Sequence, residues 1–227
     1  MNRLLLLIPL ALQLGCGSVK EVKTANTQLL KDVEILSSDE YEGRKSGTKG
    51  SELSRAYLVK RLKEIGVEAH PELGKYEQNF DIKGRNSITK GVNLISYVKG
   101  KSDDVMVISA HYDHIGIINN EIYNGADDNA SGTAGLIEMA KFYAKNKTKE
   151  KHNFLFIGFS GEELGLIGSK YYADNATIDL KTVNCMINMD MIGRYREDKG
   201  LTIGGWGTSS FWGKNIPQLA INQSVKY

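Results

Sequence analysis

Three short apolar runs in this chain each end in side chains that bind metals or move protons. Val105 to Ala110 runs into His111-Tyr112-Asp113-His114. Phe154 to Phe159 runs into Ser160-Gly161-Glu162-Glu163, and Val183 to Met189 runs into Asp190. A fourth acidic group, Asp127-Asp128, sits in a Gly-containing loop just before a helical pattern that begins near Ser131. Carboxylates gathered in one crevice repel one another, and cations relieve that repulsion. Histidine together with carboxylates suits zinc, and a carboxylate can bridge two ions. Two ions ~3.5–4 Å apart form a clamp for hydrolysis. Taken singly, each group has a plainer explanation: one histidine is more often structural, and an acidic pair at a helix start is what the helix dipole favours.

For these groups to meet, the elements carrying them must share a sheet. The three apolar runs read as buried strands, and Gly132 to Tyr143 and Leu166 to Ala173 read as helices between them. Strands alternating with helices predict an α/β fold with three layers: a mostly parallel central sheet flanked by helices. In such sheets ligands bind at the carboxyl ends of the strands. Upstream, Asn26 to Leu36 and Ser51 to Ile65 have apolar residues at helical spacing, with Gly66 placed to stop the second helix. Ser38 to Gly50 reads as a loop, Tyr76 to Ile82 as an edge strand and Val92 to Val98 as a further strand. Leu201 to Ile203 is also strand-like.

Four blocks, in order and at the right spacing, resemble the co-catalytic zinc aminopeptidases typified by bacterial leucyl aminopeptidase and aminopeptidase Y. They are Ser109 to Gly116 (SAHYDHIG), Gly125 to Gly132 (GADDNASG), Gly161 to Ser169 (GEELGLIGS) and Asn188 to Gly193 (NMDMIG). Ser37-Ser38-Asp39 through Glu42-Gly43-Arg44 is similar to the family's N-terminal portion. The resemblance covers roughly Leu29 to Ile216. It implies that Asp128 bridges two metals, that His111 and Asp190 complete one site, and that Glu163 belongs to the other. It further implies that Glu162 is the general base toward a metal-activated water and that Asp113 orients His111. A cis peptide after the bridging aspartate, Asp128-Asn129, is also implied.

One ligand is not supplied by this pattern. The family's second metal takes a histidine well downstream of the Asp190 position. The histidines here are His70, His111, His114 and His152, and none follows Asp190. His114 could serve as a ligand, but on the resemblance the family positions already assign the ligands, so it is expected on the pocket wall or among the residues that support the ligands. The chain, ending at Tyr227, is expected to be C-terminally truncated and to lack the family's last strands. Zinc is therefore expected as two ions, as in the family, or as one. The leading function is a zinc-dependent aminopeptidase acting on the N-terminal residue of peptides. The alternatives are a one-zinc transferase similar to glutaminyl cyclases, or an inactive or binding domain that keeps the fold.

Composition narrows the rest. Formal net charge is +2 and no basic stripe is present, so nucleic acid has little electrostatic support as a partner. Arg3, the apolar stretch Leu4 to Leu14 and Gly15-Cys16 resemble a bacterial lipoprotein signal over residues 1–16, with Cys16 lipidated. Residues 17–227 then form a single domain of an exported protein, periplasmic or at the cell surface; an ordinary cleaved signal and a secreted product is the alternative. Membrane contact is expected only through that lipid. Cys185 is expected to be a buried inert thiol, His70 a solvated loop residue and His152 a surface residue. Asp127 is expected to support its loop.

Overall fold

The computed structural model describes residues 26–84, 87–222 and 226. The signal-like segment, with Arg3 and Cys16, lies outside them. No helix among the described residues is long and apolar enough to cross a membrane.

Two helices open the described chain, α1 (Asn26–Leu36) and α2 (Lys49–Ile65). They flank a tight segment that includes a turn of 3-10 helix, Asp39–Arg44. The second helix stops where expected: Gly66 turns left-handed at φ 74°, and the Val67 N–H reaches back to the Leu62 carbonyl at 3.0 Å. Strands β1 (Glu68–Ala69), β2 (Glu77–Lys83), β3 (Ile88–Val98) and β4 (Val105–His111) follow. A small hairpin, β5 (Gly116–Ile118) and β6 (Glu121–Tyr123), precedes a turn at Ala126–Ser131 and helix α3 (Gly132–Lys145). Then come β7 (Asn153–Phe159), α4 (Ile167–Asp174), β8 (Val183–Asn188) and α5 (Ser210–Asn222).

The main sheet runs in the order β1-β3-β7-β4-β8, with β2 also paired to β3. β4 lies parallel to both β7 and β8, so the three strands predicted to carry the chemistry point the same way. β3 is antiparallel to β7, and β1 and β2 are antiparallel to β3. The sheet as a whole is thus mixed: β2 and β3 are joined by a short connection, which can link only antiparallel neighbours.

Helices cover the sheet on both faces, and the alternation of β7 shows how. Phe154 and Phe156 face Leu58, Leu62 and Ile137 of the α2 and α3 layer. Leu155, Ile157 and Phe159 face the other way, into a cluster with Ile95 and Tyr172 of α4. All of β7 is buried, which explains its unbroken apolar run.

Several expectations need correction. β8 reads as a buried strand but is the sheet's edge among the described residues, and Met186 and Ile187 are 49% and 42% exposed. Cys185 on it is only partly buried and in no disulfide; that burial still pushes its thiol pKa up. Leu201 to Ile203 forms no strand. The β5-β6 hairpin was not expected, although Asn119-Asn120 at its tip carries the turn signal: both residues are left-handed, at φ 51° and 63°.

Candidate metal centre

The carboxyl ends of β4, β7 and β8 form one rim, and each contributes to it. His111 is the last residue of β4, still in register with Phe159 of β7. Glu162 and Glu163 follow the end of β7, and Asp190 lies just past β8. Asp128 comes from the turn before α3.

At this rim the His111 Nε2 lies 3.4 Å from Asp128 Oδ1 and 3.4 Å from Asp190 Oδ1. Glu162 Oε2 is 4.0 Å from the same nitrogen. The other ring nitrogen, Nδ1, is 3.1 Å from the backbone oxygen of Asp113. A carbonyl can only accept, so Nδ1 carries the proton and Nε2 turns its lone pair toward the carboxylates, as a metal ligand must. Asp113 therefore orients His111 chiefly through its carbonyl; its carboxylate is farther from the ring, at 3.8 Å. That carboxylate is wholly buried and accepts instead from the Glu162 N–H at 3.2 Å and the Ser46 hydroxyl at 3.1 Å. Burial raises its pKa, against the lowering pull of His111 and these hydrogen bonds.

A second group forms beside the first. His114 Nδ1 is 2.7 Å from Glu163 Oε1 and 3.9 Å from Asp128 Oδ2. In each triad, His111-Asp128-Asp190 and His114-Asp128-Glu163, one ligand atom from every residue lies within 4.8 Å of the others. Asp128 belongs to both and offers a different oxygen to each. Among the described residues His111 and His114 are the only basic side chains within 4.0 Å of the carboxylates of Asp128, Glu162, Glu163 and Asp190. One imidazole and two carboxylates per group is a donor set that fits zinc.

Local sequence explains how Asp128 is held. Gly125 opens its turn at φ 56°, and a Cβ there would collide with the Asp128 carbonyl and the His114 ring. The Asp128-Asn129 peptide is cis, as the resemblance implies. Asn129 donates to the Met189 carbonyl at 2.9 Å and accepts from the N–H groups of Gly132 and Met191 at 2.9 and 3.2 Å. Ser131 accepts from the Ile192 N–H, and Asp127 accepts from the Gly193 N–H. The turn is thereby knitted to the segment bearing Asp190, with Asp127 in the supporting role expected of it.

Glu162 lies 4.0 Å from His111 Nε2 and belongs to neither triad. Burial raises its pKa, His111 opposes that, and the carboxylates of Glu163, Asp113 and Asp190 add to it. A carboxylate of raised pKa close to the ligands is suited to accept and return a proton.

The structure thus brings together His111, Asp113, Asp128, Glu162, Glu163 and Asp190. It adds His114, for which the sequence ranked a ligand role below a place on the pocket wall or in support; Glu163, 49 residues on, lies beside it. His70 belongs elsewhere and is buried, not solvated: it is 5% exposed and packs edge-on against Tyr97 at 5.2 Å. His152 lies 3.6 Å from Asp104, away from both groups.

Two imidazole-carboxylate groups joined by one aspartate, on the strand ends of a helix-covered sheet, define a metallopeptidase-type scaffold. The chain belongs to peptidase family M28, whose model matches residues 93–223. It is 37% identical over 105 residues to aminopeptidase YwaD of Bacillus subtilis, across 44% of this chain and 22% of that protein. It is 33% identical over 119 residues to leucine aminopeptidase 1 of Trichophyton rubrum, across 49% of this chain and 32% of that protein. The chain thus spans only about a fifth to a third of these relatives' length. In fold it is similar to a glutaminyl cyclase of an Acidobacteriales bacterium, with TM-score 0.66 and 24% identity over 86% of this chain and 68% of that one. A Zn-dependent exopeptidase of Parabacteroides distasonis gives TM-score 0.59 and 17% identity over 78% and 63%.

Proposed function

We propose that this chain is a zinc-dependent exopeptidase that hydrolyses the N-terminal residue of peptides. The observation that carries the reading is the double use of Asp128, whose Oδ1 lies 3.4 Å from His111 and whose Oδ2 lies 3.9 Å from His114. That is the arrangement a bridging carboxylate needs. His111, Asp128 and Asp190 would hold one zinc ion; His114, Asp128 and Glu163 would hold a second. Bound there, zinc supplies Lewis-acid polarisation of the scissile carbonyl and lowers the pKa of water.

The remaining steps belong to the chain's own residues. Glu162 takes a proton from the attacking water and returns it to the departing amine. Its backbone is fixed by the buried Asp113 carboxylate, so the base is aimed from beneath. Asp113 also holds the His111 ring through its carbonyl. The exported, lipid-anchored placement is part of the same proposal and is supported by Arg3, Leu4 to Leu14 and Cys16.

The test is zinc content together with release of a chromogenic amine from aminoacyl anilides. Two zinc ions per chain and amine release support the peptidase. About one ion, with no amine release, supports the one-zinc transferase. A chain that binds no zinc is a binding domain, and the proposal fails.

A further inference from the structure

We infer that Arg44 and Ser46, on the segment between α1 and α2, clamp the metal-binding loops in position. The inference rests on the metal-centre reading above and adds residues that bind no metal themselves.

Arg44 is fully buried, yet among the described residues its guanidinium hydrogen-bonds backbone carbonyls and no carboxylate. Its guanidinium donates to four backbone carbonyls: Tyr112 at 3.0 Å, Leu36 at 2.5 Å, Asn124 at 2.7 Å and Gly125 at 2.8 Å. Tyr112 stands between His111 and Asp113. Asn124 and Gly125 lead directly into the turn that carries Asp128. One planar, rigid donor fork thus fixes the distance between two ligand-bearing loops that lie far apart in sequence.

Two residues on, the Ser46 hydroxyl makes the matching contacts to the third loop. It hydrogen-bonds Asp113 Oδ2 at 3.1 Å and the Ser160 hydroxyl at 2.6 Å, and accepts from the Gly161 N–H at 2.8 Å. Residues 44 to 46 therefore touch the end of β4, the Asp128 turn and the end of β7.

Two further observations favour a positioning role over simple packing. Glu42, Gly43 and Arg44 hold successive positive φ values of 48°, 63° and 52°. Glu42 and Arg44 adopt that conformation only where the surroundings impose it, and such segments cluster at functional sites. Second, the Arg44 charge acts on Asp113, Asp128 and Glu163 without donating to their oxygens. It offsets carboxylate repulsion while leaving the ligand atoms open to an ion.

The experiment measures zinc affinity of the full chain by competition with a chromogenic chelator, and the visible spectrum of its cobalt(II) form. Wild type, Arg44→Lys and Ser46→Ala are compared, each below its own melting temperature. Arg61→Met is the control, since that buried arginine pairs with Asp32 and touches no ligand loop. Loss of an outer partner of metal ligands typically costs about 10–100-fold in affinity. The clamp predicts a loss in that range and an altered cobalt spectrum for Arg44→Lys and for Ser46→Ala. It predicts zinc affinity within about twofold of wild type for Arg61→Met, despite a lower melting temperature. Either clamp variant, folded and with wild-type affinity and spectrum, overturns the inference. If Arg44→Lys does not fold, Ser46→Ala decides alone. A wild-type chain that binds no zinc overturns the metal centre and the clamp together, whereas a zinc-binding wild type with indifferent variants overturns the clamp only.

Discussion

His114 and Glu163 meet across 49 positions of sequence, with the imidazole Nδ1 2.7 Å from a carboxylate oxygen. This contact turns a set of two acidic ligands into a mixed triad with Asp128. Replacing His114 by Ala is expected to lower zinc content from two ions per chain to one, with the weakened site losing more than about 100-fold in affinity, beyond what loss of an outer partner does. The His111 triad keeps its ion. Metal analysis after dialysis checks this; two tightly held ions in the variant would remove His114 from the ligand set.

Glu162 is expected to separate chemistry from binding. Glu162→Gln keeps the side-chain volume and the backbone hydrogen bond to Asp113, but cannot accept the proton. Turnover of aminoacyl anilides should fall by about 10²–10⁴-fold, the range for loss of a general base. Zinc content should stay at the wild-type value. A variant that retains full rate would show that the base lies elsewhere.

The buried pair Arg61 and Asp32 concerns stability rather than the site. Arg61 Nε is 3.0 Å from Asp32 Oδ1, and Asp32 is fully buried, with Gln28 and Tyr57 also donating to it. Arg61→Met strands a buried carboxylate and is expected to cost about 3–5 kcal/mol. Replacing both partners with apolar residues of similar size should restore most of that loss. Denaturant midpoints of the single and double variants provide the comparison.

His70 should make the fold sensitive to acid. Burial lowers its pKa, with Glu72 nearby opposing the shift. The folded state therefore binds this proton less readily than the unfolded chain, whose histidine titrates near about 6.5. The contribution to stability is complete above about pH 6.5 and is lost as pH falls through the lower, folded value. Melting temperatures followed from pH 7.5 to 5 should fall more steeply for wild type than for His70→Gln. Parallel curves would mean that His70 does not titrate differently on folding.

Much of this architecture was legible because two of the three site strands are buried. β4 and β7 are enclosed by helices or by other strands, so their apolar runs are unbroken and the polar residues that end them stand out. His111, Asp113, Glu162 and Glu163 arrive at the rim directly from these two strands. What the sequence hid depends on partners far along the chain. His114 looks like any histidine until Glu163 is placed beside it. His70, next to Pro71, resembles an exposed turn residue, and only the ring of Tyr97 reveals its burial. β8 shows the converse: its apolar composition matches β7, but among the described residues it is an edge strand with Met186 and Ile187 exposed. The left-handed Asn119-Asn120 turn was readable in principle, since Asn tolerates that conformation, but the strands it joins are only three residues long.

The two triads differ in how open they are. Asp190 follows an edge strand and its side chain is 45% exposed, whereas Glu163 is 19% exposed and leans on His114. Water can reach the first ligand from outside and compete for its ion one bond at a time. A zinc held through Asp190 should therefore leave faster than its neighbour. Stopped-flow stripping with excess chelator would then run in two phases, the quick one belonging to the ion held through Asp190.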